Sequence, residues 1–275
     1  MNEDGFARHV RACNNIRLPG TRRRFCIGPD QVGWITPAMA TALGRFPAIQ
    51  ETADGMTLAH PGALPMIART LAEAGLFRWR REAFDVRAAP DGPVLAQIDR
   101  GAIPSFGVQA IGVHVNGLVR RPDGLHLWIA RRALNKVLDA GKLDHVVAGG
   151  VSAGLGPRET LIKEAGEEAS IPPALAAEAI EMSILHYAME RAEGLRRDWL
   201  FCYDLLLPPA FTPVAADGEV EAFELWPIER VVEAVRTTGD FKFNVNLVLI
   251  DLFIRQGLIT GSDVEVLKTC RVNTG

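Results

Sequence analysis

Residues 149–171 read GGVSAGLGPRETLIKEAGEEASI, and this segment carries the strongest signal in the chain. A glycine-rich turn precedes a predicted helix that contains Glu164, Glu167 and Glu168. Their spacing places Glu164 on the same helix face as the other two carboxylates. Like charges on one face repel each other, and negative charge is disfavoured near a helix C-terminus. Such a local cost is typical of a functional site, and a hard cation such as Mg²⁺ would relieve it.

Length and charge limit the class of protein. The 275 residues suffice for one large domain or two modest ones. With 30 basic and 33 acidic residues the net charge is −3, which argues against a nucleic-acid partner bound through bulk charge. A small anionic substrate remains compatible with this charge, because it needs only a local basic pocket and a metal ion.

The cysteines and the apolar runs indicate the compartment. Cys13, Cys26, Cys202 and Cys270 form no C-x-x-C pair, and no histidine cluster completes a zinc site, so we interpret them as reduced structural residues. The N-terminal sequence MNEDGFARHVRACNN is polar, unlike a secretory signal. No apolar run approaches the ~20 residues that cross a bilayer. We therefore expect a cytoplasmic protein without a membrane partner.

Residues 1–106 are predicted to form a small α+β unit. Its pattern indicates helices at 5–18, 37–46 and 62–76, short strands on either side of Gly28, and a hairpin around the turn at 90–92. The segment GAIPSFG at 101–107 marks the expected domain boundary.

Residues 107–275 follow a different pattern, in which strands outnumber helices. Strands are predicted at 111–121, 125–132, 146–151, 180–188, 199–207 and 219–226. Besides the glutamate helix, helices are predicted from Pro227 onward, at 243–256 and at 262–269. Many strands are locally connected, so we expect an α+β fold with a mixed sheet and helices on its faces.

The segment that begins at Gly149 resembles the Nudix box, G-x5-E-x7-R-E-U-x-E-E-x-G-U, where U is a bulky apolar residue. The first glycine, the three glutamates and Ile171 match the motif. Four positions depart from it. They are Leu155 for the first glutamate, Lys163 for the arginine, Ala165 for an apolar residue and Ser170 for the second glycine.

A narrower group is similar to the wider chain: Nudix proteins with an N-terminal DUF4743 domain, often labelled thiamine-pyrophosphokinase-related. The shared phrases are GVHVNG at 112–117, LWIARR at 127–132, LIKEAGEEASIP at 161–172, DGEVEAFELWP at 217–227 and FKFN at 241–244. The lost first glutamate is a trait of this group. The resemblance implies an α/β/α Nudix sandwich at 107–275 that follows a DUF4743-like domain at 1–106.

The same resemblance implies hydrolysis of a diphosphate linkage with Mg²⁺, or Mn²⁺ as the alternative ion, and no other cofactor. The favoured substrates in characterised relatives are oxidised (oxo and oxy) thiamine diphosphates. Carried over by motif position, the catalytic metal ligands are Glu164, Glu167 and Glu168, and Gly149 lets the backbone approach the metal. A carboxylate beyond the box, Glu221 or its neighbour Glu219, is expected to supply a further ligand or the base.

Several polar residues are candidates for substrate contact. His114 and Asn116 occupy alternate positions of the first strand of the second domain and share one face. With Arg131, Arg132 and Lys136 they are expected to line a diphosphate cleft. Lys242 joins this set through the FKFN phrase alone.

Other interpretations stay open. Glu159, Lys163 and Glu167 form an i, i+4 ladder of the kind found on solvated helices. A non-catalytic Nudix ligand sensor would fit the Leu155 and Ser170 departures, and an ADP-ribose or NADH type pyrophosphatase would fit the box. An isopentenyl diphosphate isomerase would need a catalytic cysteine, but Cys202 lies inside a predicted strand. A homodimer is a further option.

Overall fold

The computed structural model describes residues 5–135, 138–216 and 218–260, together with Glu265 and Leu267. Its N-terminal half holds a four-stranded sheet of order β2-β1-β4-β3 and a separate hairpin of β5 and β6. The elements are α1 (Ala7–Cys13), β1 (Arg23–Ile27), β2 (Asp30–Ile35), α2 (Pro37–Leu43), β3 (Ile49–Glu51), β4 (Gly55–Leu58), a 3-10 turn (Pro61–Ala63), α3 (Leu64–Glu73), β5 (Ala83–Val86), β6 (Ala96–Asp99) and α4 (Ile103–Phe106).

Local chemistry explains where these elements begin. Helix α2 starts at Pro37, whose missing amide costs nothing in the first turn. The amide of Met39 donates to Oγ1 of Thr36 at 3.2 Å, which caps that end of the helix. Ile67 and Leu71 of α3 then pack into the same buried cluster as Phe25 of β1. This cluster forms the core of the N-terminal half.

The second half is built on a seven-stranded sheet of order β11-β12-β7-β8-β13, with β10 paired to β7 and β9 paired to β8. Strands β7 and β12 run parallel and the other pairs are antiparallel. The elements are β7 (Gln109–Arg121), β8 (Gly124–Arg132), β9 (Leu143–His145), β10 (Val147–Gly150), α5 (Pro157–Ala169), α6 (Pro173–Ala176), β11 (Ile180–Arg191), β12 (Gly194–Leu206), β13 (Val220–Pro227), α7 (Ile228–Thr237) and α8 (Val245–Arg255).

Helices cover both faces of this sheet. On one face α5 packs Leu161 and Ala165 against Val113 of β7. On the other face α7 and α8 pack against Leu127 and Ile129 of β8. The predicted α+β class, with a mixed sheet between helical layers and a separate N-terminal unit, is confirmed.

Short or shortened elements are where the structure differs from the sequence prediction. The helix predicted at 5–18 ends at Cys13, because Asn14 leaves the helical conformation and its side chain donates to the carbonyl of Val10. Strands of three or four residues are too short for alternation to reveal, which explains why β3, β4 and β9 were missed. The helix predicted at 262–269 lies almost wholly outside the described residues.

The N-terminal segment packs against the second half of the chain. The rings of Phe6, the residue that precedes α1, and Phe253 in α8 lie 6.0 Å apart. Further along, Arg22 donates to both carboxylate oxygens of Glu190 in β11, at 2.7 and 2.6 Å. The division at residues 106 and 107 therefore stays a prediction, since α1 shares the core of the C-terminal half.

Within the described residues, no helix combines the length and the apolar character that a membrane span requires.

Candidate active site around the glutamate helix

The glutamate helix α5 is fixed at both ends. The amide of Gly156 donates to Oε2 of Glu159 at 2.9 Å and closes the N-terminal turn. At the C-terminus Ser170 takes a left-handed conformation with φ of 53°, which glycine adopts more readily. The Oγ of Ser170 donates to the carbonyl of Val214 at 3.0 Å. This contact offsets the departure from glycine at that motif position.

Strand β10 meets α5 through two carboxylates. Oε2 of Glu168 accepts a hydrogen bond of 2.9 Å from the amide of Ala148. A Cβ added to Gly149 would lie 2.6 Å from Cγ of Glu164, so only glycine fits beside this side chain. The two glutamates therefore lie against the backbone of β10.

The three box glutamates differ in exposure. The side chain of Glu164 is 19% exposed and that of Glu167 is 52% exposed, whereas Glu168 is buried. Lys163 places Nζ 3.1 Å from Oε1 of Glu164 and 2.6 Å from Oε2 of Glu167. These hydrogen bonds raise the pKa of Lys163, with Glu167 contributing most. Lys163 steadies two of the three carboxylates.

Two carboxylates of the site, Glu164 and Glu168, have raised pKa values, mainly because they are buried. Burial raises the pKa of Glu168 to about 8, and the charges of Asp144, Glu164 and Glu219 add to the rise, against the hydrogen bond from Ala148. Burial also raises the pKa of Glu164, in which Lys163 opposes the shift and Glu219 supports it. A group of carboxylates with raised pKa values is suited to bind a cation.

The additional carboxylate that acts on this group is Glu219. Its charge affects both Glu164 and Glu168. Glu221 is exposed and lies where the pairing of β13 with β8 shifts register between Val220 and Ala222. The catalytic role of Glu221 stays a prediction, and the electrostatic observations favour Glu219 from the pair that the sequence singled out.

A buried polar network lies beside β10. Asp144 Oδ2 accepts from Arg132 at 2.8 Å and from Lys242 at 3.3 Å, and Oδ1 accepts from the amide of His145. Nδ1 of His114 lies 3.0 Å from Nδ1 of His145. His114, Arg132 and Lys242, which were expected to line a diphosphate cleft, are brought together around the buried carboxylate of Asp144.

This network holds a group with metal-ligand geometry. Among the described residues, ligand atoms of His114, Asp144 and His145 all lie within 4.8 Å of one another. Burial lowers the pKa of His145 to about 4 and that of His114 well below its usual value, so both rings are neutral. Sequence reasoning missed Asp144 and His145, because an Asp-His pair after a loop carries no distinctive spacing.

The remaining candidates have other partners. Asn116 is fully buried, and its Nδ2 donates to Oδ1 of Asp204 at 2.8 Å. Arg131 donates to the carbonyl of Gly141 at 3.3 Å and lies 3.8 Å from Glu224. Lys136 lies outside the described residues. Direct substrate contact by His114, Asn116, Arg131, Arg132, Lys136 and Lys242 therefore stays a prediction, and the burial of His114 and Asn116 favours an indirect role for those two.

Leu155, at the position of the first motif glutamate, has an apolar environment. It is half-buried and packs on the cluster beneath α5. It also lines a cavity of about 120 Å³ between the two halves, together with Ile111, Val151, Asp85, Arg87, Pro90, Gly156 and Pro157. On one side Leu155 packs on apolar side chains, which suits leucine, and on the cavity side it lies with the charged residues Asp85 and Arg87.

Two family models match this chain. The NUDIX domain model matches residues 111–245, and the domain of unknown function DUF4743 matches residues 5–110. The first match contains β10, α5 and the buried network.

Curated relatives extend the similarity over nearly the whole chain. Nudix hydrolase 24, chloroplastic, from Arabidopsis thaliana is 43% identical over 268 residues, which cover 93% of this chain and 73% of the relative. Nudix hydrolase 20, chloroplastic, from the same plant is 42% identical over 180 residues, which cover 66% of this chain and 48% of the relative. The crystal structure of DR0079 from Deinococcus radiodurans is 21% identical, with a TM-score of 0.46 over 63% of this chain and 98% of that one.

Proposed function

The chain belongs to the Nudix hydrolase family, and from this premise we propose that it hydrolyses a diphosphate linkage in a small molecule with Mg²⁺. The family assignment made from the box and the wider phrases is confirmed, and so is the enzyme class, a Nudix hydrolase. One observation carries the proposal for this chain. Glu164 and Glu168 lie against the glycine backbone of β10 in a carboxylate group with raised pKa values.

The donor set at β10 fits a hard divalent cation. Carboxylate and carbonyl oxygens are the ligands that Mg²⁺ prefers, and Mn²⁺ accepts the same set. Glu164, Glu167 and Glu168 would hold the ion, with the backbone at Gly149 beside it. When bound, the ion would neutralise the diphosphate and lower the pKa of an attacking water.

The buried histidine group fits Mg²⁺ less well. Two of its three members offer nitrogen, which suits softer ions than Mg²⁺. Its carboxylate already accepts from Arg132 and Lys242. We therefore assign the metal to the box glutamates. We assign a structural role to the Asp144 network, which holds β9 and β10 in place.

The chain's own residues act mainly by orientation. The Ala148 amide fixes Glu168, and Lys163 holds the carboxylates of Glu164 and Glu167. Phosphoryl transfer is catalysed largely by positioning and by charge stabilisation, so rigid carboxylates are what this chemistry needs. Glu219 is exposed and its charge acts on Glu164 and Glu168, so its carboxylate would accept a proton from water in the site.

The proposed substrate class is thiamine diphosphate or its oxo and oxy analogues. Support comes from the phrases shared with the DUF4743-containing group. A diphosphate of the ADP-ribose or NADH type is the second candidate, because the box alone does not select the leaving group. A non-catalytic sensor is disfavoured, since Glu164, Glu167 and Glu168 are all retained next to Gly149.

The test is a panel of diphosphates with Mg²⁺ or Mn²⁺. Thiamine diphosphate, its oxidised analogues, ADP-ribose, NADH and nucleoside triphosphates are compared by release of phosphate or monophosphate. We expect turnover of at least one diphosphate, and loss of that turnover when a chelator is added. Absence of turnover across the panel, with tight binding of one compound, would favour the sensor.

Location and assembly also stay predictions. The cytoplasmic location is an expectation from the sequence, and both Arabidopsis relatives are named as chloroplastic proteins. A homodimer is tested by light scattering of the full chain.

A further inference from the structure

Strand β5 of the N-terminal half lies along the loop that connects β10 to α5. This segment, residues 151–156, is called the box loop below. The amide of Ala153 donates to the carbonyl of Ala83 at 2.8 Å. Oγ of Ser152 donates to Oε1 of Glu82 at 3.1 Å, and the amide of Gly154 donates to Oδ2 of Asp85 at 3.2 Å. Three consecutive residues of the loop are thus held by β5 and by Glu82, the residue that precedes it.

Phe84 of the same strand contacts the glycine pair of the box. A Cβ on Gly150 would lie 2.7 Å from Cζ of Phe84, and a Cβ on Gly149 would lie 2.6 Å from Cγ of Glu164. Phe84 is itself buried, and the Arg100 guanidinium lies 5.7 Å from its ring centre. Adjacent glycines therefore join β5 on one side to a proposed metal ligand on the other.

We propose that β5, together with the preceding Glu82, is a positioning element of the hydrolase site. Glu82, Ala83 and Asp85 fix the box loop and thereby set the backbone of Gly149 and Gly150 against Glu164. This inference rests on the proposed function for its catalytic consequence. In this way the N-terminal half completes the site, because it supplies contacts to the box loop that the C-terminal half does not provide.

The physical reason is the cost of ordering the loop. A loop with a glycine at φ of +83°, Gly154, has many accessible conformations when it is unrestrained. Within the C-terminal half the first residue of the loop is held by strand β7, because the amide of Val151 donates to the carbonyl of Ile111 at 2.9 Å. The contacts to β5 restrain the next three residues. Small displacements of such supporting groups reduce catalysis strongly, by up to about 10²-fold for 1 Å.

Variants of Asp85 distinguish a role in positioning the loop from a role in overall stability. Its Oδ1 accepts from Gln97 at 3.1 Å and its Oδ2 lies 3.4 Å from Arg87, so it also belongs to the hairpin. Asp85→Asn retains a carbonyl oxygen that can accept from Gly154, whereas Asp85→Ala removes it. Rescue by asparagine is therefore expected if the hydrogen bond to the loop matters.

Hydrogen exchange measures the positioning directly. We compare the full chain with Asp85→Ala, Asp85→Asn and the double variant Ser152→Ala/Asp85→Ala. A matched control is Glu73→Gln, in an exposed ion pair with Arg69 on α3 of the same half. Asp85→Ala and the double variant should accelerate exchange in residues 148–156 about 10-fold, and Asp85→Asn and the control should change it less than about 2-fold. Unchanged exchange in the double variant would overturn the inference.

Kinetics measure the consequence, with the diphosphate that the wild type turns over best. Asp85→Ala should lower kcat about 10-fold and raise the Mg²⁺ concentration for half-maximal velocity, with KM for the diphosphate within about 2-fold. Asparagine should restore most of kcat. An unchanged kcat and Mg²⁺ dependence in the double variant would overturn the catalytic part. A wild type that hydrolyses no diphosphate would instead refute the proposed function, and exchange would still decide whether β5 positions the loop.

Discussion

The amide of Ala148 donates a hydrogen bond of 2.9 Å to Oε2 of Glu168, and this contact joins the end of the central sheet to the glutamate helix. It fixes a buried carboxylate that also feels the charges of Asp144, Glu164 and Glu219. A buried carboxylate with one amide donor and three negative neighbours is costly unless a proton or a cation joins it.

Glu168→Gln should reduce kcat/KM for the diphosphate by about 10²-fold or more, because the amide cannot replace a charged ligand. The fold should survive, since a glutamine oxygen still accepts from Ala148. Glu229→Gln on the exposed start of α7 is the matched control. Near-normal activity in Glu168→Gln, measured at saturating Mg²⁺, would contradict the role of Glu168.

Between pH 6.5, the ordinary pKa of the two buried histidines, and pH 8, the free energy of unfolding of the metal-free protein should fall as the pH rises. The carboxyl of Glu168 has an ordinary pKa of 4.5 and a folded pKa of about 8. Because the folded pKa is raised, Glu168 contributes stability that is fully present below pH 4.5 and is lost as the pH rises through 8. The loss in free energy of unfolding is on the order of a few kcal/mol. Thermal unfolding in a chelator should show this slope, and Glu168→Gln should remove it. Mg²⁺ should restore stability at the alkaline end.

Gly149→Ala should lower activity more than about 10-fold, because the new Cβ would lie 2.6 Å from Cγ of Glu164 and displace it. Overpacking of this kind costs about 1–3 kcal/mol of unfolding free energy. The control is Gly166→Ala on α5, the helix that carries Glu164, since its Cβ would meet nothing within 4 Å. That control should gain up to about 1 kcal/mol and keep its activity. Equal effects of the two substitutions would refute the contact.

Glu219→Gln should reduce kcat about 10-fold, whereas Glu221→Gln should change it less than about 3-fold. The reason is that the charge of Glu219 acts on Glu164 and Glu168. Steady-state rates of the two variants at fixed Mg²⁺ decide between them. A larger loss in Glu221→Gln would restore the assignment made from the sequence.

Asp144→Ala should destabilise the protein by about 3–5 kcal/mol, because it leaves Arg132 and Lys242 buried without their shared carboxylate. Denaturant unfolding measures this loss. Asp240→Ala is a control on an exposed residue near Lys242. If Lys242→Gln raised KM while stability stayed unchanged, Lys242 would instead be a substrate-binding residue.

Local spacing was enough to predict α5 and the long strands around it. Helical and strand periods depend on backbone geometry, which short stretches of sequence report directly. The motif phrases then gave the family. Strands that outnumber helices and connect locally predicted a mixed sheet with helices on its faces, whereas the α/β/α sandwich was implied by the family resemblance.

Burial and long-range contacts were decided by the tertiary structure alone. Glu167 and Glu168 are neighbours in sequence, yet one is solvated and the other buried, because the sheet covers only one side of α5. Arg132 and Lys242, which the sequence suggested would line an open cleft, instead form ion pairs with the buried Asp144. Ser152 and Glu82 are 70 residues apart, and only the packing of two halves brings them together. Periodicity describes a chain's immediate neighbours, whereas desolvation and charge coupling depend on groups that the fold alone makes adjacent.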